Sequence, residues 1–243
     1  MADPDTPDLV DAFCRELLGS PVERVEFHAT SVGDVHGLRL ADGRRVVVKV
    51  HRPHVDRAHL AAVQQVQRRL VAAGFPAPEP LHGPTALGAG VAIAESLLDE
   101  GEWADAHEPA VRSAVASELA RLVALGRPLV DIPGLGRLPD ATQRLWAIPH
   151  DPRFDFPGTA HGAEWIDRLR DGARRELERW AAGELVVGHA DWRVEHLRFA
   201  AGRLAAAYDW DSLTVAREPE IAGAAAHRRR VHDSRKSGHK QIP

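Results

Sequence analysis

The chain has 243 residues, a net charge of −4 and a hydrophobic fraction of 44%. That length can bury the core of one large domain or two small lobes, and the mild acidity argues against a bulk nucleic-acid binder. Cys14 is the only cysteine, which excludes a disulfide framework and a cysteine-based zinc site within one chain. Thr6 to Leu18 has helical spacing, with Leu9, Val10, Phe13, Leu17 and Leu18 on one face. Gly19-Ser20-Pro21 ends it. Val22 to His28, Val35 to Leu40 and Arg45 to Val50 then read as an antiparallel meander, with Ala41-Asp42-Gly43 as its second turn. Asp56 to Ala73 is the next helix, with Leu60, Val63, Val66 and Leu70 on one stripe and Gly74 as its stop. After a Pro-rich linker, Leu81-His82 and Val91 to Ala94 are expected to add strands to the same sheet. Leu97 to Glu102 is the crossover into a helical half. Pro109 to Leu125 and Ala163 to Ala182 are helices, the second with Trp165, Ile166, Leu169, Leu177 and Trp180 apolar. Gly126 to Pro139 is Gly/Pro-rich and irregular, and a last helix is expected around Pro219 to Ala226. Arg228 to Pro243 has almost no core residues and reads as a disordered tail.

No apolar run approaches the roughly 20 residues of a membrane span, and the acidic N-terminus lacks a signal-peptide core. These features predict a cytoplasmic protein with no membrane partner. Residue usage adds a clue. The chain has no Asn, and Lys occurs only at 49, 236 and 240. A solitary Lys in the predicted folded region marks Lys49 for a role that Arg cannot fill.

The chemistry gathers between Leu185 and Leu213. A short apolar strand leads to a loop with His189 and Asp191, and a hairpin around Ala200-Ala201-Gly202 delivers Asp209 and Asp211. Closing the hairpin brings the two acidic groups together. Carboxylates gathered at strand ends are costly unless they serve a metal ion, a proton transfer or a hydrogen-bond network. The competing reading is a solvated polar turn.

The pattern His189-Ala190-Asp191, then His196, a hairpin and Asp209-Trp210-Asp211 resembles the catalytic core of the aminoglycoside phosphotransferase family, relatives of the protein kinases. The resemblance covers roughly Val22 to Ala226. It implies an α+β, protein-kinase-like, two-lobed fold. Residues 1–96 would form the nucleotide-binding sheet lobe, 97–227 a helical lobe with the catalytic loop, and 228–243 the tail. It also implies an ATP-dependent transfer of the γ-phosphate to a hydroxyl of a small molecule, such as an aminoglycoside or another amino- or sugar-alcohol. Asp191 would be the catalytic carboxylate and His189 its brace. Lys49 would contact the phosphates, helped by Ser31 and Gly33 in the first hairpin loop. Backbone groups near Glu95 and Leu97 would hold adenine. Asp209, Asp211 and His196 would hold Mg²⁺.

The sequence departs from the family pattern in three ways. His196 replaces an Asn that supplies an oxygen ligand, and imidazole suits Mn²⁺ or another softer ion better than Mg²⁺. The helix after Lys49 has no Glu, only Gln64, Gln65 and Gln67. The several helices that family members carry beyond the Asp-Trp-Asp element have no counterpart here, so a truncated or frame-shifted product is expected. Two further readings stay open: a catalytically inactive nucleotide-binding protein, and a metal-dependent hydrolase built on His189, Asp191, His196 and Asp209.

Overall fold

A computed structural model describes residues 6–30, 33–137, 155–156, 158–179 and 183–228. Ser31, Trp180 and the expected tail beyond Arg228 lie outside the described residues. The first half is a five-stranded antiparallel sheet of β1 (Val22–Thr30), β2 (Asp34–Leu40), β3 (Arg45–His51), β4 (Pro80–Leu87) and β5 (Gly90–Ser96). The strand order is β1-β2-β3-β5-β4. The meander and its two added strands are as the alternation predicts.

Helix α1 (Thr6–Phe13) covers one sheet face and continues into a π-wound turn, Cys14–Leu18. Val10, Phe13, Cys14 and Leu18 pack there with Leu38, Leu40, Val46 and Val48. Leu17, expected inward, is exposed. Gly19 ends the turn at φ +77°, a conformation glycine adopts without a Cβ penalty. Helix α2 (Arg57–Ala72) is capped by the Asp56 carboxylate, which accepts from the Ala58 and His59 N–H groups. Its predicted stripe of Leu60, Val63, Val66 and Leu70 is buried.

The second half begins with α3 (Pro109–Gly126), followed by α4 (Glu164–Arg179). Strand β6 (Leu185–His189) pairs antiparallel with β9 (Leu213–Arg217), and β7 (Leu197–Ala200) forms a hairpin with β8 (Arg203–Ala207). Helix α5 (Glu218–Arg228) packs Ile221 against Gly188, where a Cβ would lie 2.6 Å from the isoleucine side chain. The largest core joins the two halves: Val63, Val66, Leu70 and Phe75 meet Leu119, Leu122, Val187, Trp192 and Trp210.

Helix α4 exposes three of its apolar residues, Trp165, Ile166 and Leu169. Helical spacing fixes which residues share a face but not what that face packs against. No helix among the described residues is long and apolar enough to cross a membrane.

Candidate active site

The loop after β6 is held in place by its own backbone and by two histidines. Ala190 N–H donates to the Ser212 carbonyl at 2.9 Å, tying the loop to the hairpin exit. His189 is fully buried between the Trp192 and Trp210 rings. Its Nε2–H donates to the Tyr208 carbonyl at 3.1 Å, and its Nδ1 accepts from Asp191 N–H at 3.2 Å. Both nitrogens are engaged, so the imidazole braces the loop. Burial pushes its pKa down to about 4, so the ring is neutral at pH 7. Trp192, also fully buried, anchors the loop to α3 through Nε1–H to the Val115 carbonyl at 2.9 Å.

Hairpin closure gathers the acids. Ligand atoms of Asp191, His196 and Asp209 lie within 4.8 Å of one another. Asp209 adopts φ +64°, a left-handed backbone seldom seen outside glycine. Its carboxylate accepts from Ser212 Oγ at 2.9 Å. A fourth residue adjoins the group: Arg193 Nε lies 3.3 Å from Asp191 Oδ1.

Asp211 is not part of this cluster. Its Oδ1 lies 3.5 Å from Lys49 Nζ, and its Oδ2 lies 4.0 Å from His51 Nδ1. Burial would raise its pKa, but Lys49 and His51 outweigh that and hold it below the usual carboxylate range. His59 supports the segment from α2, its Nε2–H donating to the Asp211 carbonyl while Nδ1 accepts from Gly136 N–H.

Lys49 projects from β3 toward these acids and is mostly buried. Its Nζ lies 3.1 Å from Glu95 Oε1. Burial alone would lower its pKa, but the carboxylates of Glu95, Asp211 and Asp209 outweigh it and hold it above the ordinary lysine value. The sequence assigns Glu95 a backbone role toward adenine; the structure adds that its buried side chain meets Lys49. At Leu97, the other position expected near adenine, the N–H is bonded to the Arg45 carbonyl at 3.0 Å. Gly33 has a packing role, because a Cβ there would sit 2.5 Å from the Val50 carbonyl oxygen.

A donor set of this kind suits a hard cation held by the Asp209 and Asp191 carboxylates. His196 fits that role poorly. Its Nδ1, the nitrogen nearer Asp209 at 3.8 Å, lies 3.0 Å from the Asp191 carbonyl oxygen. A carbonyl only accepts, so this nitrogen carries the proton. Its Nε2 faces Arg193 Nη2 at 3.3 Å, and a guanidinium only donates. The two partners select the same neutral tautomer, with no lone pair facing the acids. A hydrolase built on His189 and His196 as metal ligands is disfavoured for the same reason.

Sequence reasoning missed Arg193, His51 and the Glu95 side chain. His51 was within reach of the alternation argument, since it follows Val47 and Lys49 on one face of β3. A cavity of about 710 Å³ beside Arg68, Leu125 and Ile132 lies away from this chemistry.

An amicoumacin kinase in complex with AMP-PNP and Ca²⁺ superposes with a TM-score of 0.66 at 13% identity, over 84% of this chain and 63% of that one. The present chain therefore spans less than two thirds of that kinase. Aminoglycoside phosphotransferase APH(4)-Ia gives 0.59 at 19% identity, over 92% of this chain and 81% of the other. Macrolide 2'-phosphotransferase MphH from Brachybacterium faecium gives 0.52 at 19%, over 90% and 76%. At such identities the likeness is one of fold, and it is the α+β kinase-like fold expected from the sequence. No curated protein matches the chain. The model of the phosphotransferase enzyme family matches residues 37–217, from β2 to the end of β9, and the chain belongs to that family.

Proposed function

We propose that the protein is an ATP-dependent phosphotransferase that acts in the cytoplasm on a hydroxyl of a small molecule, an aminoglycoside or another amino- or sugar-alcohol. The observation that carries this reading is the convergence of Lys49 from the sheet with Asp191, Asp209 and Asp211 from the loop and hairpin. An ammonium set beside carboxylates suits a triphosphate with its cation. Asp191 orients the acceptor hydroxyl and takes its proton as the new P–O bond forms and the bond to the nucleotide diphosphate breaks. His189 and Trp192 hold the Asp191 loop still. Lys49 holds the phosphates. Asp209 and Asp191 are the residues that would hold Mg²⁺, which when bound neutralises charge developing on the phosphate oxygens.

The test is ADP release against a panel of hydroxyl acceptors. Asp191→Ala should lower turnover by about 10²- to 10⁴-fold. Unchanged transfer by this variant would remove the assignment.

A second reading is nucleotide binding without turnover. It is favoured by one observation, the His196 tautomer that leaves the metal site one ligand short. It predicts a nucleotide-dependent melting shift with no ADP release for any acceptor.

A further inference from the structure

Lys49 and Glu95 stand on adjacent strands of one sheet. The register places Val47 opposite Glu95 and Lys49 opposite Ile93. Glu95 is therefore the diagonal neighbour of Lys49 on the same face, a separation that long side chains span. The far oxygen of the carboxylate, Oε2, accepts from Gln67 Nε2 at 3.2 Å. The same amide donates to the Pro78 carbonyl at 2.7 Å. Glu95 is 4% exposed and Gln67 1%. Helix α2 carries no carboxylate of its own between Arg57 and Ala72. It orients, through Gln67, an acid that belongs to the sheet.

We propose that Glu95 is the positioning residue for Lys49: a strand-borne counter-ion that keeps the ammonium charged and fixes its aim, in the place that a helix Glu takes in related kinases. The proposal rests on the reading of Lys49 as the phosphate contact. Its physical consequence is specific. A counter-ion carried by a helix can leave when the helix moves. Glu95 and Lys49 share one hydrogen-bonded sheet, so their pair persists when either α2 or the hairpin shifts. Asp211, approaching from the other half of the molecule, is the partner that can yield to a phosphate. Burial acting alone would favour the neutral amine, so without Glu95 the charge would depend on Asp211 and Asp209.

The scarcity of lysine makes the test direct. Acylation with a small amine reagent across a pH series, read by peptide mass spectrometry, follows Lys49 with Lys236 and Lys240 as internal comparisons. In the wild type, the Lys49 midpoint should lie above theirs. Glu95→Gln keeps the shape of the side chain and should lower the midpoint by about one to three pH units. The exchange variant, Glu95→Gln with Gln67→Glu, returns a carboxylate to the same cradle and should raise it again. A wild-type midpoint at or below that of the two comparison lysines would overturn the proposal even if no variant folds. So would a Glu95→Gln profile that superposes on the wild type. Repeating the wild-type series with ATP and Mg²⁺ separates the two readings. Absence of nucleotide protection at Lys49 would count against the phosphate-contact role, while the Glu95→Gln shift would still decide the pairing.

Discussion

His196 Nδ1 lies 3.0 Å from the carbonyl oxygen of Asp191, five residues earlier in the same loop. This contact fixes the imidazole as a donor and makes it a brace for the catalytic segment. An asparagine at this position could donate one amide hydrogen and still offer an oxygen to a cation. Histidine keeps the first capability and loses the second. We expect His196→Ala to change the Mg²⁺ and Mn²⁺ dependence of nucleotide-induced melting by less than about three-fold, while lowering stability by about 1 kcal/mol for the lost bond. His196→Asn should strengthen the Mg²⁺ response. Loss of the Mn²⁺ response in His196→Ala would return His196 to the role of ligand.

Lys49 sits between two carboxylates, and its removal leaves both uncompensated. Truncating one member of a buried ion pair costs about 3–5 kcal/mol. Lys49→Met should therefore unfold at markedly lower denaturant than wild type near neutral pH. The double variant Lys49→Met with Glu95→Gln should recover much of that loss, because the remaining acid, Asp211, is partly exposed. Denaturant melts of the four proteins form a double-mutant cycle that measures the coupling. Additive losses would mean that the 3.1 Å contact carries little energy.

The parts of the site visible in the sequence were those fixed by local rules. Ala200-Ala201-Gly202 marked the turn, and Ala201 and Gly202 both adopt positive φ there. That turn brings Asp209 to the Asp191 loop. Alternation along β3 gave Lys49 its face, and the absence of other lysines gave it weight. What stayed hidden depended on pairing between distant segments. Glu95 faces Lys49 only because β5 inserts between β3 and β4 in one register. Strand β9 was not foreseen, because Leu213–Arg217 becomes a strand by pairing with β6, some thirty residues earlier. The exposed face of α4 has the same origin, since a helical stripe does not name its partner.

Gly37 and Phe27 form a second relationship that a mutation can test. A Cβ at Gly37 would occupy the place of the Phe27 ring, which lies across β2. These residues are opposite one another, and Gly37 also pairs with Val47 on the Lys49 face of the sheet. Gly37→Ala should displace the ring and destabilise the protein by about 1–3 kcal/mol, the range for overpacking. Replacing Phe27 by Leu in the same chain should relieve part of this. If Gly37→Ala melts like wild type, the ring has room that the structure does not show.

The buried histidines set the response to acid. Burial holds His189 at a pKa of about 4, against about 6.5 for a histidine in the unfolded chain. Between those values the unfolded state binds the proton and the folded state does not. Stability from this residue is therefore complete above pH 6.5 and falls progressively as pH drops toward 4, by about 3 kcal/mol in all. Burial also lowers the pKa of His36 and His51, so they act in the same direction. Chemical denaturation at intervals from pH 7.5 to 4 should show stability declining across that window. His189→Gln keeps a donor for the Tyr208 carbonyl and removes the titration. It should start less stable at pH 7.5 and lose less on acidification, so that the two curves converge near pH 4. Parallel curves would show that His189 takes up its proton without unfolding the loop it braces.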